Sequence, residues 1–267
     1  MPELQYEDTE LASLYDLFYP WDSRDDLPFY LPLVMSAASV LDVGCGTGAL
    51  LKAAREAGHG GRLCGLDPAP GMLEQAVRRA DVEWVHGDLS TVAFRDEFDL
   101  VVMTGHAFQV LVEDDAILAA LAAIRGALTE QGRFAFETRN PRLREWEAWN
   151  EESIEGVTTD SGTVVLMRQQ LESVEGDTVG VTITFDSSSW DGPMVSHSTL
   201  RFLDSDVLDS LLVDSGLLVF ERFGDWDRRP LTHDSPEIIT ICGPGRYRPL
   251  PRSQREPATR SGVPDLG

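Results

Sequence analysis

Asp42 and the glycines at 44, 46 and 48 fall within Ser39-Val-Leu-Asp-Val-Gly-Cys-Gly-Thr-Gly-Ala49, a spacing that lets a ligand approach bare backbone. Val40, Leu41 and Val43 read as a short buried strand and Ala49 to Ala57 as a helix. A strand running through a glycine turn into a helix is the layout of a nucleotide site. Gly44, Gly46 and Ala49 also satisfy the G-x-G-x-x-G/A dinucleotide fingerprint, with Asp67 at the distance of a ribose-binding acid. Charge separates the two readings. A pyrophosphate docks on the helix N-terminus, where Asp42 would repel it, whereas a ligand carrying an ammonium and a sulfonium would be drawn to the same carboxylate.

The pattern repeats downstream. Arg62-Leu-Cys-Gly-Leu-Asp67 is a short apolar strand ending in an acid that can accept hydrogen bonds from both ribose hydroxyls, followed by a helix to about Ala80. Val82-Glu-Trp-Val-His-Gly-Asp88-Leu89 is a third strand closing on Gly-Asp, and Phe98 to Met103 a fourth, followed by Thr104-Gly-His106-Ala-Phe108-Gln109. Asp42, Asp67 and Asp88 thus fall at or near the carboxyl ends of successive parallel strands, the edge where open α/β sheets bind ligands. His106, with an unperturbed pKa of roughly 6.5, is the candidate to position or deprotonate a nucleophile. A helix over Glu113 to Leu128 leads to a fifth strand, Arg133 to Thr138.

Motif I of the class I S-adenosylmethionine-dependent methyltransferases resembles the whole stretch from Ser39 to Ala49. The resemblance covers residues 35–140 through motifs and 204–243 through strand and helix order. It implies S-adenosylmethionine as cofactor, with Asp42, Gly44, Cys45, Gly46, Thr47 and Gly48 around its methionine part and Asp67 on the ribose. By the same resemblance Pro68, Met72, Asp88 and Leu89 lie near the adenine, and Thr104 and His106 stand in a loop facing the methyl group. The family's tetrapeptide of Asp or Asn, two prolines and an aromatic, used on amino groups of nucleobases and glutamine, is missing after the fourth strand. Oxygen, carbon and other nitrogen acceptors stay open. The run Leu14-Tyr-Asp-Leu and the β-rich stretch after residue 145 are further similar to bacterial small-molecule methyltransferases.

Before the first strand, Leu11 to Tyr19 and Asp25 to Met35 have helical apolar spacing, and helices so placed often cap the cofactor edge. Tyr15 is therefore a cofactor candidate, and Tyr19 and Trp21, with His106, Phe108 and Arg139, are candidates for the acceptor side. After Pro141 a short helix through Trp146 and Trp149 gives way to alternating runs at Thr163–Leu171, Thr178–Phe185 and Met194–Phe202, an antiparallel sheet. Asp204 to Gly216 returns to helix, and Leu217–Phe223 and Glu237–Cys242 are the last strands.

The expected architecture is α/β: a Rossmann-like, seven-stranded, mostly parallel sheet with helices on both faces and a small antiparallel insertion as a lid. It divides into a helical cap over 1–35, the main domain over 36–145 and 201–243, the insertion over 146–200, and a disordered, Pro-, Arg- and Ser-rich tail over 244–267. A chain of 267 residues with 42% hydrophobic residues can bury one core plus a modest subdomain. The formal charge of −23 argues against nucleic acid and for a small-molecule acceptor. The three cysteines lie far apart in or beside apolar runs, with no metal spacing, which reads as free thiols in the cytoplasm. No signal peptide or membrane span is expected, and the insertion offers a surface for a homodimer. Two rivals stand beside methyl transfer: an NAD(P)-dependent oxidoreductase, and a non-catalytic S-adenosylmethionine-binding module.

Overall fold

The computed structural model describes residues 3–150 and 154–244, so the tail expected over 244–267 lies, but for its first residue, outside the described residues. In chain order come α1 (Leu4–Glu7), α2 (Thr9–Phe18), α3 (Asp26–Ser36), β1 (Ser39–Val43), α4 (Ala49–Glu56), β2 (Arg62–Asp67), α5 (Pro70–Ala76), β3 (Glu83–His86), β4 (Phe98–Met103), α6 (Asp114–Ala127) and β5 (Leu128–Arg139). There follow β6 (Ile154–Thr158), β7 (Val164–Glu175), β8 (Thr178–Asp186), β9 (Met194–Arg201), α7 (Ser205–Asp214), β10 (Leu218–Phe223) and β11 (Glu237–Gly243).

A seven-stranded sheet runs in the order β10-β11-β5-β4-β1-β2-β3. β1, β2, β3, β4 and β5 pair in parallel, while β11 is antiparallel to both β5 and β10. Period-2 alternation sends Leu41, Val43, Val101, Met103, Phe134 and Phe136 to one face, where they meet Ile117, Leu121 and Ile124 of α6 and Leu208, Leu211 and Leu212 of α7. Val40, Leu100, Val102, Ala135, Ile239 and Ile241 face the other side and meet Leu27, Tyr30, Leu33 and Val34 of α3 and Leu50, Leu51 and Ala54 of α4. By the same alternation Asp42, Glu137 and Glu237 belong to the α3 face, a charged set among apolar neighbours.

β6, β7, β8 and β9 form a separate antiparallel sheet of four strands. The sequence reading expected three of them and missed β6, whose Ile-Glu-Gly-Val-Thr is too short and too broken by glycine to show an alternation of its own. α2 is started by the Asp8 carboxylate, which accepts from Leu11 N at 3.0 Å, and it has two apolar faces. Leu11, Leu14 and Phe18 pack on Val165, Val181, Ile183 and Phe185 of the small sheet; Ala12 and Tyr15 pack on Ala69 and Met72 beside α5. Thus α2 couples the insertion to the carboxyl edge of the main sheet. Among the described residues no helix is long and apolar enough to cross a membrane.

Candidate functional site

The order of strand addition reverses between the parallel neighbours β1 and β4: the strands progress outward through β2 and β3, then restart on the other side of β1 at β4. The crevice outside the carboxyl ends of such a strand pair is where open α/β sheets take ligands. Here it is a narrow cleft bounded by Asp42, the turn Gly44 to Thr47, Ala49 and Leu50 of α4, Thr104 after β4, and Tyr15, Arg24 and Leu27 from the N-terminal region.

Gly44, Gly46 and Gly48 all have positive φ, at +71°, +56° and +80°. That conformation is nearly free for glycine and strained for other residues, which is why the turn needs this spacing. Gly44 N and Cys45 N donate to Leu66 O (2.8 and 3.2 Å) and Gly48 N to Cys45 O (2.9 Å), while Gly46 N donates to Asp67 Oδ2 at 2.8 Å. Four amides of the turn are therefore spent inside the protein and are not offered to a pyrophosphate.

Asp42 is 1% exposed, and among the described residues neither of its oxygens has a hydrogen-bond partner. A buried unpaired carboxylate is costly. Burial pushes its pKa up to about 7, with the Arg24 guanidinium opposing and Asp67 adding to the rise. Arg24, from the connection between α2 and α3, is held by both Asp26 oxygens, with Nε–Oδ1 at 3.0 Å. The α2 helix closes the top: Thr47 Oγ1 donates to Asp16 Oδ1 at 2.7 Å, and the Tyr15 ring lies 5.0 Å from that of Tyr19.

The donor set fits S-adenosylmethionine. An orphaned carboxylate awaits a cation, Arg24 stands opposite for a carboxylate, and a Cβ built on Gly46 would meet nothing within 4 Å, so there is room against the turn.

A second polar group adjoins the cleft on the β5 side. His106 sits in the left-handed region (φ +61°) two residues after Thr104, and its amide donates to Glu137 Oε1 at 2.7 Å. The other Glu137 oxygen accepts from Tyr30 OH. His106 Nε2 lies 3.1 and 3.0 Å from the two oxygens of Glu237, a residue brought in by β11, whose Glu237 pairs in register with Arg139. Burial raises Glu137 to about 7 against the pull of His106, raises Glu237 to about 8 against Arg139, and lowers His106 to about 4, helped by Arg139. Both members of the His106–Glu237 pair are thus pushed toward neutrality.

Of the residues singled out from sequence, Tyr15, Asp42, Gly44, Cys45, Gly46, Thr47 and Thr104 meet at the one cleft. Burial holds the Cys45 thiol well above its ordinary pKa, so it contributes as a small apolar wall. Gly48 starts α4 beneath Trp84, and Asp67 is tied to the turn, with Oδ1 accepting from Ala69 N at 2.8 Å. Met72 is buried beside Tyr15, and the Pro68 carbonyl lies 3.0 Å from His86 Nε2. Asp88 is exposed, its carboxylate accepting from Ser90 N (2.8 Å) and Thr91 N (3.0 Å), with Leu89 packed back onto the core. Tyr19 OH lies 3.7 Å from Met167 Sδ of the insertion, and Arg139 reaches Gln109 Oε1 (3.0 Å) and Glu145 (3.4 Å). Phe108 is buried against Phe136, at 4.5 Å between centroids, and Trp21 packs on the α3 side of the core.

Sequence reasoning did not find Arg24, Tyr30, Glu137 or Glu237. Glu137 and Glu237 did carry a signal, a carboxylate inside or at the head of an apolar strand run, Phe134-Ala-Phe-Glu and Glu237-Ile-Ile. Arg24 and Tyr30 carried none.

Residues 40–132 match the family described as methyltransferase domain. The chain is similar to malonyl-(acyl-carrier protein) O-methyltransferase of Anoxybacillus flavithermus, 30% identical over 142 residues that make up 52% of this chain and 53% of the relative. It is also similar to the aklanonic acid methyltransferase DauC of Streptomyces sp. (strain C5), 38% identical over 105 residues, 36% of this chain and 46% of the relative. It thus spans about half the length of the curated relatives it matches. In fold it resembles the CcbJ methyltransferase of Streptomyces caelestis (TM-score 0.68, 19% identity, 87% of this chain and 96% of the other). The same holds for CalS10, an amino pentose methyltransferase from Micromonospora echinaspora (TM-score 0.64, 22% identity, 86% and 95%).

Proposed function

Starting from the premise that the chain belongs to the class I S-adenosylmethionine-dependent methyltransferase family, we propose that it transfers a methyl group from S-adenosylmethionine to a small-molecule acceptor. The observation that carries this reading is Asp42: a carboxylate fully buried at the switch point, without a hydrogen bond among the described residues, beneath a turn four of whose amides are already spent. A cation relieves that cost, whereas a pyrophosphate adds to it. This favours the methyl donor over the dinucleotide that the glycine spacing left open.

When bound, S-adenosylmethionine supplies a methyl carbon already activated by its sulfonium. What the protein must add is alignment and exclusion of water. Asp42 and Arg24 are placed to hold the opposite charges of an amino acid end, and Asp67 keeps the turn in shape as well as facing the ribose position. Tyr15 and Asp16 of α2 close the cleft, and the β6–β9 sheet backs α2, so we assign the insertion over 146–200 as a lid on the acceptor chamber. Tyr19, His106 and Arg139 are its acceptor-side groups. The relatives' names span oxygen acceptors, as in the O-methyltransferase, and nitrogen acceptors, as in cypemycin N-terminal methyltransferase.

The formal charge of −23 supports an acceptor that is not nucleic acid, and the free, buried Cys45, Cys64 and Cys242 support a cytoplasmic location. Ile154, Val164, Val174 and Val195 leave apolar surface exposed on the insertion sheet, which supports a homodimer through that sheet.

Calorimetric titration tests the donor assignment. S-adenosylmethionine and S-adenosylhomocysteine are expected to bind in the micromolar range and NAD not at all, and Asp67→Ala to abolish binding. Asp67→Asn, which retains an oxygen for one of the two amides, is expected to bind more weakly than wild type and more tightly than Asp67→Ala. Binding of NAD alone would overturn the reading.

A further inference from the structure

On the acceptor side proposed above, one buried acid stands apart from the others in how it is partnered. Arg139 on this side is engaged with Glu145 and Gln109, and Arg24, which stands at the donor cleft, is held by Asp26. Of the buried acids, Glu137 is satisfied by Tyr30 OH and the His106 amide. Glu237 is different. Among the described residues it has no arginine or lysine partner within ion-pair distance, and its side chain pairs with His106. Its side chain is 10% exposed and that of His106 19%. The other carboxylates whose charge raises the Glu237 pKa, Asp26, Glu145 and Asp225, are paired with Arg24, Arg139 and Arg229.

Resting on the donor reading above, we infer that the acceptor is an aliphatic amine arriving as its ammonium ion, and that the Glu237–His106 pair binds it and takes its proton. An anionic acceptor would meet Glu237 and arginines that are already engaged. A neutral hydroxyl would bring no counter-charge to the ionised form of Glu237. An ammonium supplies the missing charge and the proton together. Glu237 fixes the imidazole by accepting from Nε2–H, which leaves the Nδ1 lone pair without a protein partner, and a base oriented by a third group is the arrangement proton abstraction needs. In the balanced step, taken with Glu237 ionised, the ammonium N–H proton passes to His106 Nδ1 and the nitrogen lone pair is freed. That pair then forms the N–C bond to the donor methyl while the C–S bond breaks and its electrons go to sulfur. The missing prolyl tetrapeptide agrees, since an alkyl amine needs only deprotonation, whereas an amide nitrogen needs its lone pair localised.

Around Glu237 the charged and titratable groups are His106, Arg139, Glu145, Asp26 and Asp225, and around His106 also Glu137. Arg139 favours loss of the Glu237 proton and the carboxylates oppose it, so kcat/KM for an amine should rise with pH up to about 8.

The test loads the protein with S-adenosylhomocysteine and titrates it with cyclohexylamine and cyclohexanol. In parallel, labelled S-adenosylmethionine is offered to paired panels of alkyl and sugar amines and their hydroxyl counterparts. The amine is expected to bind and the alcohol not, and label to appear only on amines. Glu237→Gln should keep S-adenosylhomocysteine affinity within about twofold, lose amine binding, and fall about 100-fold in kcat with its pH limb gone. Glu237→Asp, which keeps the charge, should restore part of both, and His106→Gln serves as a second probe should Glu237→Gln unfold. Label on hydroxyl members only, or amine binding unchanged in Glu237→Gln, overturns the inference. So does failure of every amine to bind or be labelled while S-adenosylmethionine itself binds. Failure of S-adenosylmethionine to bind overturns the donor reading, and this inference with it.

Discussion

Asp42→Asn is expected to make the ligand-free protein more stable and the donor complex weaker. The sign follows from the titration. Burial raises the Asp42 pKa from 3.8 to about 7, so the folded state holds its proton more tightly than the unfolded chain does. The contribution of this group to stability is present in full below about pH 4 and is lost as pH rises to about 7, a loss on the order of a few kcal/mol. Asparagine removes the charge, so the gain in melting temperature should be larger at pH 8 than at pH 5. Donor binding moves the other way. Removing the partner of a buried cation costs about 2–5 kcal/mol, which is about 30-fold or more in Kd. Wild-type affinity for S-adenosylmethionine should also rise with pH up to about 7, as Asp42 ionises, and this rise should be absent in Asp42→Asn. Scanning calorimetry and titrations across that range provide the check; equal affinity in the two proteins would remove Asp42 from the donor site.

Gly48→Ala and Gly46→Ala are expected to separate folding from binding. At Gly48, with φ +80°, an alanine Cβ would enter the Trp84 ring. That ring cannot easily yield, because Trp84 Nε1 donates to Arg79 O at 2.8 Å and the ring already lies against Gly65. Left-handed strain of about 1–3 kcal/mol adds to overpacking of about 1–3 kcal/mol. A loss of about 3 kcal/mol would lower Tm by about 6–12 °C at the 2–4 °C per kcal/mol of a domain near this size. At Gly46 the added Cβ meets no protein atom within 4 Å. Gly46→Ala should therefore lose only about 1–3 kcal/mol of stability from strain, yet weaken S-adenosylmethionine, whose place the methyl would take. Thermal melts paired with donor titration decide both, and an unchanged Tm in Gly48→Ala would contradict the packing argument.

The glycine turn, the strand before it and the helix after it were legible from residues 39–57 alone, because positive φ, a buried apolar triplet and helical spacing are local properties. The same holds for the parallel order of the first strands and the switch to an antiparallel insertion. Asp42 could be assigned a charge preference from sequence, but its lack of any hydrogen bond is a fact of packing under α3 and α4. Nothing local announces Glu237 as a neighbour of His106, 131 positions earlier. That meeting requires β11 to pair antiparallel with β5, which sets Glu237 opposite Arg139 at the carboxyl edge. Tyr30 reaches Glu137 only because α3 packs across the sheet, and α2 seals the cleft only because its second apolar face is covered by the insertion. The sequence therefore determined the glycine turn through short-range backbone and periodicity constraints. The tertiary structure alone decided the meeting of His106 with Glu237 and of Tyr30 with Glu137, because these groups come from separate strands, loops and helices brought together by long-range pairing and burial.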